Sequence, residues 1–415
     1  MKKPTIVFIA AGANSRFFPL NTRTHKGNLS LLGEPILKRA IKNVIEHGFT
    51  DIVLVVSKKD AEGETLSKLL DLESLSATIT VVTQPVAKGQ GDAILTASQY
   101  LSGDFIVTSP YYLDAGKIAD QLYQTKQATK ADCVLTGLKT DTPSLFGIAK
   151  LDGERVLEVV EKPAPGTEPS NMRVNSIYLF DQGFLEFLKM TEESEYSLEA
   201  AYSNYAQKAH ITFFLQPHEV ITLKYAWHLF DFQSLLFEKM ESYLDDTAIV
   251  APTAIIDETH GPVHIAAHAK IDNFAVIIGP AYIGEHAFVG QYCLIRSSTL
   301  EKNVIIGAYT EIVRSIVFEK VTIHQSYLAD SILGADTSVG AGLITANKRL
   351  DGESVQTMIK GKIIETNRKK MGVITGVATK IGIRVNTMPG VLIGQRNTIL
   401  PSRTVSKNID HQANN

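Results

Sequence analysis

The sequence predicts two domains of different architecture: an α/β, doubly wound, Rossmann-like domain over residues 1–240, then a left-handed parallel β-helix of hexapeptide repeats over residues 250–410. Three observations carry this expectation. Short apolar runs alternate with helical patterns in the first part, aliphatic residues recur every six positions in the second, and 415 residues are too many for one ordinary core.

The first domain is read element by element. Ile6 to Ala10, Ile52 to Val56, Ile79 to Val82 and Phe105 to Thr108 are short apolar runs of the kind that form buried strands. Between them, Ile36 to Glu46, Thr65 to Leu72 and Asp92 to Tyr100 carry helical patterns. Strand and helix in alternation mark βαβ units, which build a mainly parallel sheet covered on both faces.

From about residue 250 the helical period disappears. Ile265, Ile271, Ile277, Ile283, Val289 and Ile295 keep a six-residue step, which resumes at Leu300, Ile306 and Ile312 and again at Ile381, Thr387, Ile393 and Ile399. Antiparallel strands alternate with period two and would lose this register, whereas a β-helix stacks one inward aliphatic per short strand. Lys348 to Lys370 break the step and carry many charges, so the segment should leave the coil as a loop or arm. Long flat coil faces favour cyclic packing, so a homo-oligomer, a trimer through the β-helix, is expected.

Composition narrows the partners. A formal net charge of −3 with 20% charged residues provides no basic patch for nucleic acid. Cys133 and Cys293 are the only cysteines, too few for a disulfide framework or a zinc site, which fits a cytoplasmic protein. The apolar run from Thr5 to Ala11 is short and closed by Gly12 to Arg16, so it is expected to be a strand and not a signal peptide. No membrane is expected as a partner, since no window reaches the length of about 18 apolar residues that a spanning helix needs.

The first strand runs into Ala11-Gly12-Ala13-Asn14-Ser15-Arg16-Phe17-Phe18-Pro19-Leu20, and Lys26 follows. Small residues leaving a parallel strand let backbone N–H groups approach a triphosphate, and Arg16 and Lys26 can neutralise its charge. Further along stand Gln84, Gly89-Gln90-Gly91-Asp92-Ala93, Phe146-Gly147, Glu161-Lys162-Pro163 and Asn175-Ser176-Ile177-Tyr178.

In this order and over this length, these blocks resemble the sugar-1-phosphate nucleotidylyltransferase family, whose first loop reads Gly-x-Gly-Thr-Arg-x-x-Pro-Leu. The resemblance implies a nucleotidyltransferase domain acting on a nucleoside triphosphate and a sugar-1-phosphate. Arg16 and Lys26 would stabilise charge on the triphosphate held by Ala11, Gly12 and Ala13, while Gln84, Gly89 and Gln90 would contact the base. Gly147, Glu161, Lys162 and Asn175 would hold the sugar phosphate. The implied chemistry is in-line attack of that phosphate on the α-phosphorus with release of pyrophosphate, which depends on positioning and charge neutralisation.

The departures fall at the metal. The family has Gly-Asp at the end of the strand Phe105 to Ser109, its aspartate holding Mg²⁺, where this chain reads Ser109-Pro110-Tyr111. Near Trp227, where the family has a second acidic or amide ligand, this chain offers His228 and Asp231. Mg²⁺ prefers carboxylate oxygens, so Asp114 and Asp231 are the candidate ligands. Asn14 stands at the family's second loop glycine and Gly27 at the proline after the lysine.

In the β-helix, His324 and Tyr327 stand in His-Gln-Ser-Tyr-Leu-Ala-Asp-Ser, and Asn347 in Gly-Ala-Gly-Leu-Ile-Thr-Ala-Asn. A histidine can deprotonate an amine that attacks a thioester, while hydroxyl and amide groups orient the acceptor. With Ser331-Ile332-Leu333-Gly334, Val339-Gly340-Ala341-Gly342 and Lys360-Gly361-Lys362, these segments resemble the acetyltransferase half of archaeal-type bifunctional N-acetylglucosamine-1-phosphate uridylyltransferase/glucosamine-1-phosphate acetyltransferases. The resemblance implies His324 as base, Arg314, Tyr327 and Asn347 at the acetyl-acceptor site, and acetyl-CoA as co-substrate.

The expected function is therefore nucleotide-sugar biosynthesis by a nucleotidylyltransferase joined to an N-acetyltransferase. Tyr111 at the metal position sustains two other readings: an acetyltransferase with a degenerate first domain, or a non-catalytic, oligomeric nucleotide-sugar-binding regulator. Base and sugar are set by pocket shape, which motif letters do not encode.

Overall fold

The structure is a computed structural model that describes residues 3–12, 14–21, 25–61, 66, 70–219 and 221–410. Ala13 and half of the expected helix over Thr65 to Leu72 lie outside these residues. The chain divides into two compact units, Met1–Ala13 with Pro35–Thr222, and Asn14–Glu34 with Leu223–Asn415.

The first unit is built on nine strands: β1 (Thr5–Ala10), β2 (Asp51–Ser57), β3 (Thr78–Gln84), β4 (Phe105–Thr108), β5 (Cys133–Lys139), β6 (Gly147–Asp152), β7 (Arg155–Glu161), β8 (Met172–Phe180) and β9 (Ile211–Leu215). They form one sheet in the order β3-β2-β1-β4-β8-β5-β9-β7-β6. β1 lies parallel between β2 and β4, whereas β8 runs antiparallel to β4 and β5. The β8–β5 register shifts between Val174 and Tyr178, an irregularity that re-aims the side chains at Asn175 and Ser176.

Alternation along β1 sorts its side chains onto two cores. Ile6 and Phe8 pack with Leu37, Ala40 and Ile41 of the helix Ile36–Glu46 and with Ile118 and Leu122 of the helix Ala115–Thr129. Val7 enters the opposite layer, with residues of the helices Gln90–Ala97, Gln182–Lys189 and Ser197–Tyr205. The expected strands and the helices at Ile36 and Asp92 are thus present, and both faces are covered as a doubly wound sheet requires. The helix Ile36–Glu46 follows Pro35, whose ring presets φ near the helical value, and Gly48, just past its C-cap His47, turns the chain away with φ +78°.

The second unit is a left-handed parallel β-helix with three eight-stranded parallel sheets. Ile283, Leu300, Val317 and Leu333 stand in register on successive coils of one face, while Ile271, Val289 and Ile306 do so on the next. All are buried in a single aliphatic column, so the six-residue step is the spacing of inward residues from one face to the next. The corners turn through left-handed backbone at non-glycine residues, among them Arg314 and Asp330, each with φ +46°. The charged segment after Asn347 leaves the coil, forms a hairpin of Gln356–Ile359 with Lys362–Glu365, and returns where Met371 N donates to Asn347 O at 2.8 Å. Among the described residues no helix is long and apolar enough to cross a membrane.

Candidate functional site

In the first unit the loop after β1 carries buried Ala11 and exposed Gly12, and a Cβ placed on Gly12 would meet no atom within 4 Å. Gln84, at the end of β3, is 3% exposed, and its Nε2 donates to Asp92 Oδ2 at 2.6 Å and Gly89 O at 3.3 Å. Gly89 has φ +111°, and a Cβ there would lie 2.6 Å from the Glu195 carbonyl oxygen, so the position admits only glycine. The chain thus brings Gln84, Gly89 and Gln90 together where β3 ends and the helix Gln90–Ala97 begins.

A second cluster lies on the β6–β7 hairpin. Gly147 pairs with Glu161 across it, and Lys162 N donates to Phe146 O at 2.9 Å. Lys162 Nζ lies 3.1 Å from Glu161 Oε1 and 3.2 Å from the Tyr196 hydroxyl, contacts that raise its pKa. Glu199 adjoins the pair, and burial pushes its carboxyl pKa up, with the Glu161 charge adding to the shift. Asn175 Nδ2 donates to Gln216 Oε1 at 2.6 Å. Gln216 is 4% exposed, and its Nε2 has no partner among the described residues. Tyr196, Glu199 and Gln216 are absent from the sequence expectations, since nothing in the motifs links Gln216 to an asparagine 41 residues away.

The end of β4 does not suit Mg²⁺. Thr108, Ser109, Tyr111 and Tyr112 supply no carboxylate; Tyr111 sets its ring edge-on to Tyr112 at 5.3 Å, and burial pushes both phenol pKa values up. Asp114 stands immediately before the helix Ala115–Thr129. Among the described residues no three His, Cys, Asp or Glu side chains converge on a possible metal position.

Arg16 and Lys26 belong to the second unit. Arg16 is exposed, while Lys26 donates from Nζ to Leu223 O at 2.5 Å. Burial lowers the Lys26 pKa to about 8, with the Arg16 charge adding to the effect. Asn14 takes the left-handed conformation, φ +52°, in place of the glycine that the family pattern has there. Asp231 is held in an ion pair with Arg368, Oδ1 to Nη1 at 2.7 Å.

On the β-helix, His324 is exposed on the turn after the strand Thr322–Ile323, where the Ser326 hydroxyl donates to its carbonyl at 2.6 Å. Tyr327 opens the next strand and pairs with Ile344 on the following coil. Arg314 grips Asp330 through Nε and Nη2, both at 2.7 Å, and Asn347 Nδ2 donates to the same carboxylate at 2.5 Å. Arg314 and Asn347 are therefore united by Asp330, a residue visible in the sequence only as the seventh letter of the stretch beginning at His324.

The family model for nucleotidyl transferases matches residues 5–219, and that for the GMPPB C-terminal domain matches residues 277–414. The chain is 27% identical over 423 residues to the bifunctional sugar-1-phosphate nucleotidylyltransferase/acetyltransferase of Sulfurisphaera tokodaii, covering 97% of both chains. It is 29% identical to the bifunctional protein GlmU of Methanococcus maripaludis, covering 98% of this chain and 96% of that one, and 30% identical to GlmU of Methanococcus aeolicus, covering 97% and 95%. With its first model spanning more than half of the sequence and these relatives aligned from end to end, the chain belongs to the nucleotidyl transferase family of enzymes.

Proposed function

We propose that this chain catalyses two successive transfers in nucleotide-sugar synthesis: acetylation of an amino-sugar phosphate on the β-helix and nucleotidylyl transfer to a sugar-1-phosphate in the α/β unit. The observation that carries this reading is the coverage of the bifunctional relatives, which extends over both halves of each chain.

In the nucleotidylyl step, the Ala11–Gly12 loop receives the triphosphate and the Arg16 and Lys26 cations offset its charge. Ala13, outside the described residues, continues that loop in sequence. Gln84, Gly89 and Gln90 face the base, and Gly147, Glu161, Lys162 and Asn175 hold the sugar phosphate. A phosphate oxygen of the sugar phosphate forms a bond to the α-phosphorus as the bond to the β-phosphate bridge breaks, and pyrophosphate leaves. Because the end of β4 does not suit Mg²⁺, no step is routed through a metal there. Asp114 remains a candidate ligand, and Asp231 would first have to leave Arg368.

In the acetyl step, His324 takes a proton from the amine as nitrogen attacks the thioester carbonyl of acetyl-CoA; a C–N bond forms, the C–S bond breaks and CoA leaves. Tyr327, Arg314 and Asn347 orient the acceptor. The reading includes a homotrimer through the β-helix and a cytoplasmic setting.

Tyr111 favours the narrower reading in which only the acetyl step turns over. Mass spectrometry of products from UTP or dTTP, a panel of sugar-1-phosphates, glucosamine-1-phosphate and acetyl-CoA separates the two. A nucleotide-sugar together with an acetylated sugar product supports both transfers; an acetylated sugar phosphate alone supports the narrower reading, and neither product overturns both.

A further inference from the structure

A cavity of about 520 Å³ lies within the second unit, between the helix Leu229–Lys239 and a corner of the β-helix. Phe230, Gln233, Ser234, Phe237 and Glu238 line it at helical spacing, so one stripe of the helix faces it. Gly261, Pro262, Pro280 and the corner residues Ser297, Arg314 and Asp330 form the opposite wall.

Two fastenings hold the helix around this space. Gln233 Nε2 donates to Thr299 Oγ1 at 2.9 Å and to Ser315 O at 3.3 Å. Arg368, where the arm returns, binds Asp231 through Nη1 at 2.7 Å and sets its guanidinium 5.0 Å from the Phe230 ring centre. The cavity is thus braced by polar contacts at its edges.

Its chemistry is that of a ligand site. Phe230, Phe237, Pro262 and Pro280 make an apolar floor, and Arg314 and Arg368 line the same space. Arg314 spends Nε and Nη2 on Asp330, and Arg368 spends Nη1 on Asp231, which leaves one edge of each for an incoming acceptor. Asp330 and Glu238 also line the space and Asp231 holds Arg368, so the carboxylates outnumber the two guanidinium groups and a highly charged ligand such as a triphosphate is disfavoured. Of the acceptor-site candidates Arg314 alone lines it; His324, Tyr327 and Asn347 do not.

We propose that this cavity binds a small organic anion, an apolar ring bearing a single carboxylate or phosphate group, with the anionic group on the unspent edges of Arg314 and Arg368 and the ring against Phe230 and Phe237.

The test is calorimetric titration of the full chain with benzoate and with phenyl phosphate, using benzyl alcohol as the neutral analogue and inorganic phosphate as the ringless one. One saturable site for benzoate or phenyl phosphate is expected, and the tighter of the two identifies the anionic group. Arg368→Gln should weaken it by about tenfold or more, the worth of one charge-assisted hydrogen bond. Ser234→Phe, which places a ring in the cavity from an exposed helix position, should abolish it. The proposal is overturned if neither probe saturates, or if their affinity survives both substitutions. If either variant unfolds, the unsubstituted chain decides: benzyl alcohol or inorganic phosphate binding as tightly as the two probes sinks the assignment.

Discussion

Gly147 and Glu161 face each other across the β6–β7 hairpin so closely that a Cβ on Gly147 would lie 2.8 Å from Glu161 Oε2. The glycine is what allows the glutamate to fold over the strand and meet Lys162. Any side chain there must push Glu161 aside. Gly147→Ala is therefore expected to raise the KM for sugar-1-phosphate about tenfold, the equivalent of one charge-assisted hydrogen bond, with little change in nucleotide KM. Initial rates with each substrate varied in turn provide the check.

Gln216 is the buried support of Asn175. Replacing it with leucine leaves the half-buried Asn175 amide without this partner but also removes the unpaired Gln216 Nε2, so the first unit should be destabilised by at most about 1 kcal/mol, the net worth of one hydrogen bond. Denaturant unfolding of Gln216→Leu measures this, and an unchanged midpoint would show that the Asn175 contact contributes nothing.

The Lys26 pKa of about 8 sets a pH dependence for nucleotidylyl transfer. Its amine is charged below that pH and loses its proton above it, so the cation available to a triphosphate is full in mild acid and disappears in base. The kcat/KM for nucleotide, which reports the free enzyme, should be level below about pH 7 and fall about tenfold per unit well above pH 8. In Lys26→Arg the fall should vanish, because a guanidinium stays charged across this range. A profile identical in both proteins would remove Lys26 from the triphosphate.

Asp330 is the hub of the β-helix corner, its side chain 11% exposed and its carboxylate shared by Arg314 and Asn347. Arg314→Met leaves that carboxylate to Asn347 alone. Because Arg314 is itself 39% exposed, solvent screens part of the loss, and a destabilisation of about 1–3 kcal/mol is expected instead of the larger penalty for a fully buried pair. Thermal unfolding compared with Asp330→Asn, which keeps the shape but not the charge, checks it.

The fold was largely legible because its periodicities are local. The six-residue step from Ile265 to Ile295 is one inward side chain per strand, and Phe105–Thr108 and Ile36–Glu46 stand where their apolar spacing puts them. The left-handed corners were not, since Arg314, Asp330 and Tyr309 occupy them where glycine would have been the signal. The candidate residues were legible only as letters in motifs. Their working partners, Gln216 for Asn175 and Asp330 for Arg314 and Asn347, come from strands or coils that only the fold brings near. The packing of the 14–34 loop with the β-helix, through Gly33 N to Glu301 Oε2 at 3.2 Å, was equally hidden, because the contact spans 268 residues.

The central claim is that one chain performs two separable transfers. It is tested most directly by measuring pyrophosphate release and CoA release side by side in the unsubstituted chain, in His324→Ala and in Glu161→Gln. The account predicts that His324→Ala loses CoA release and keeps pyrophosphate release, and that Glu161→Gln does the reverse. Pyrophosphate release absent from all three proteins, with every sugar-1-phosphate offered, would contradict it.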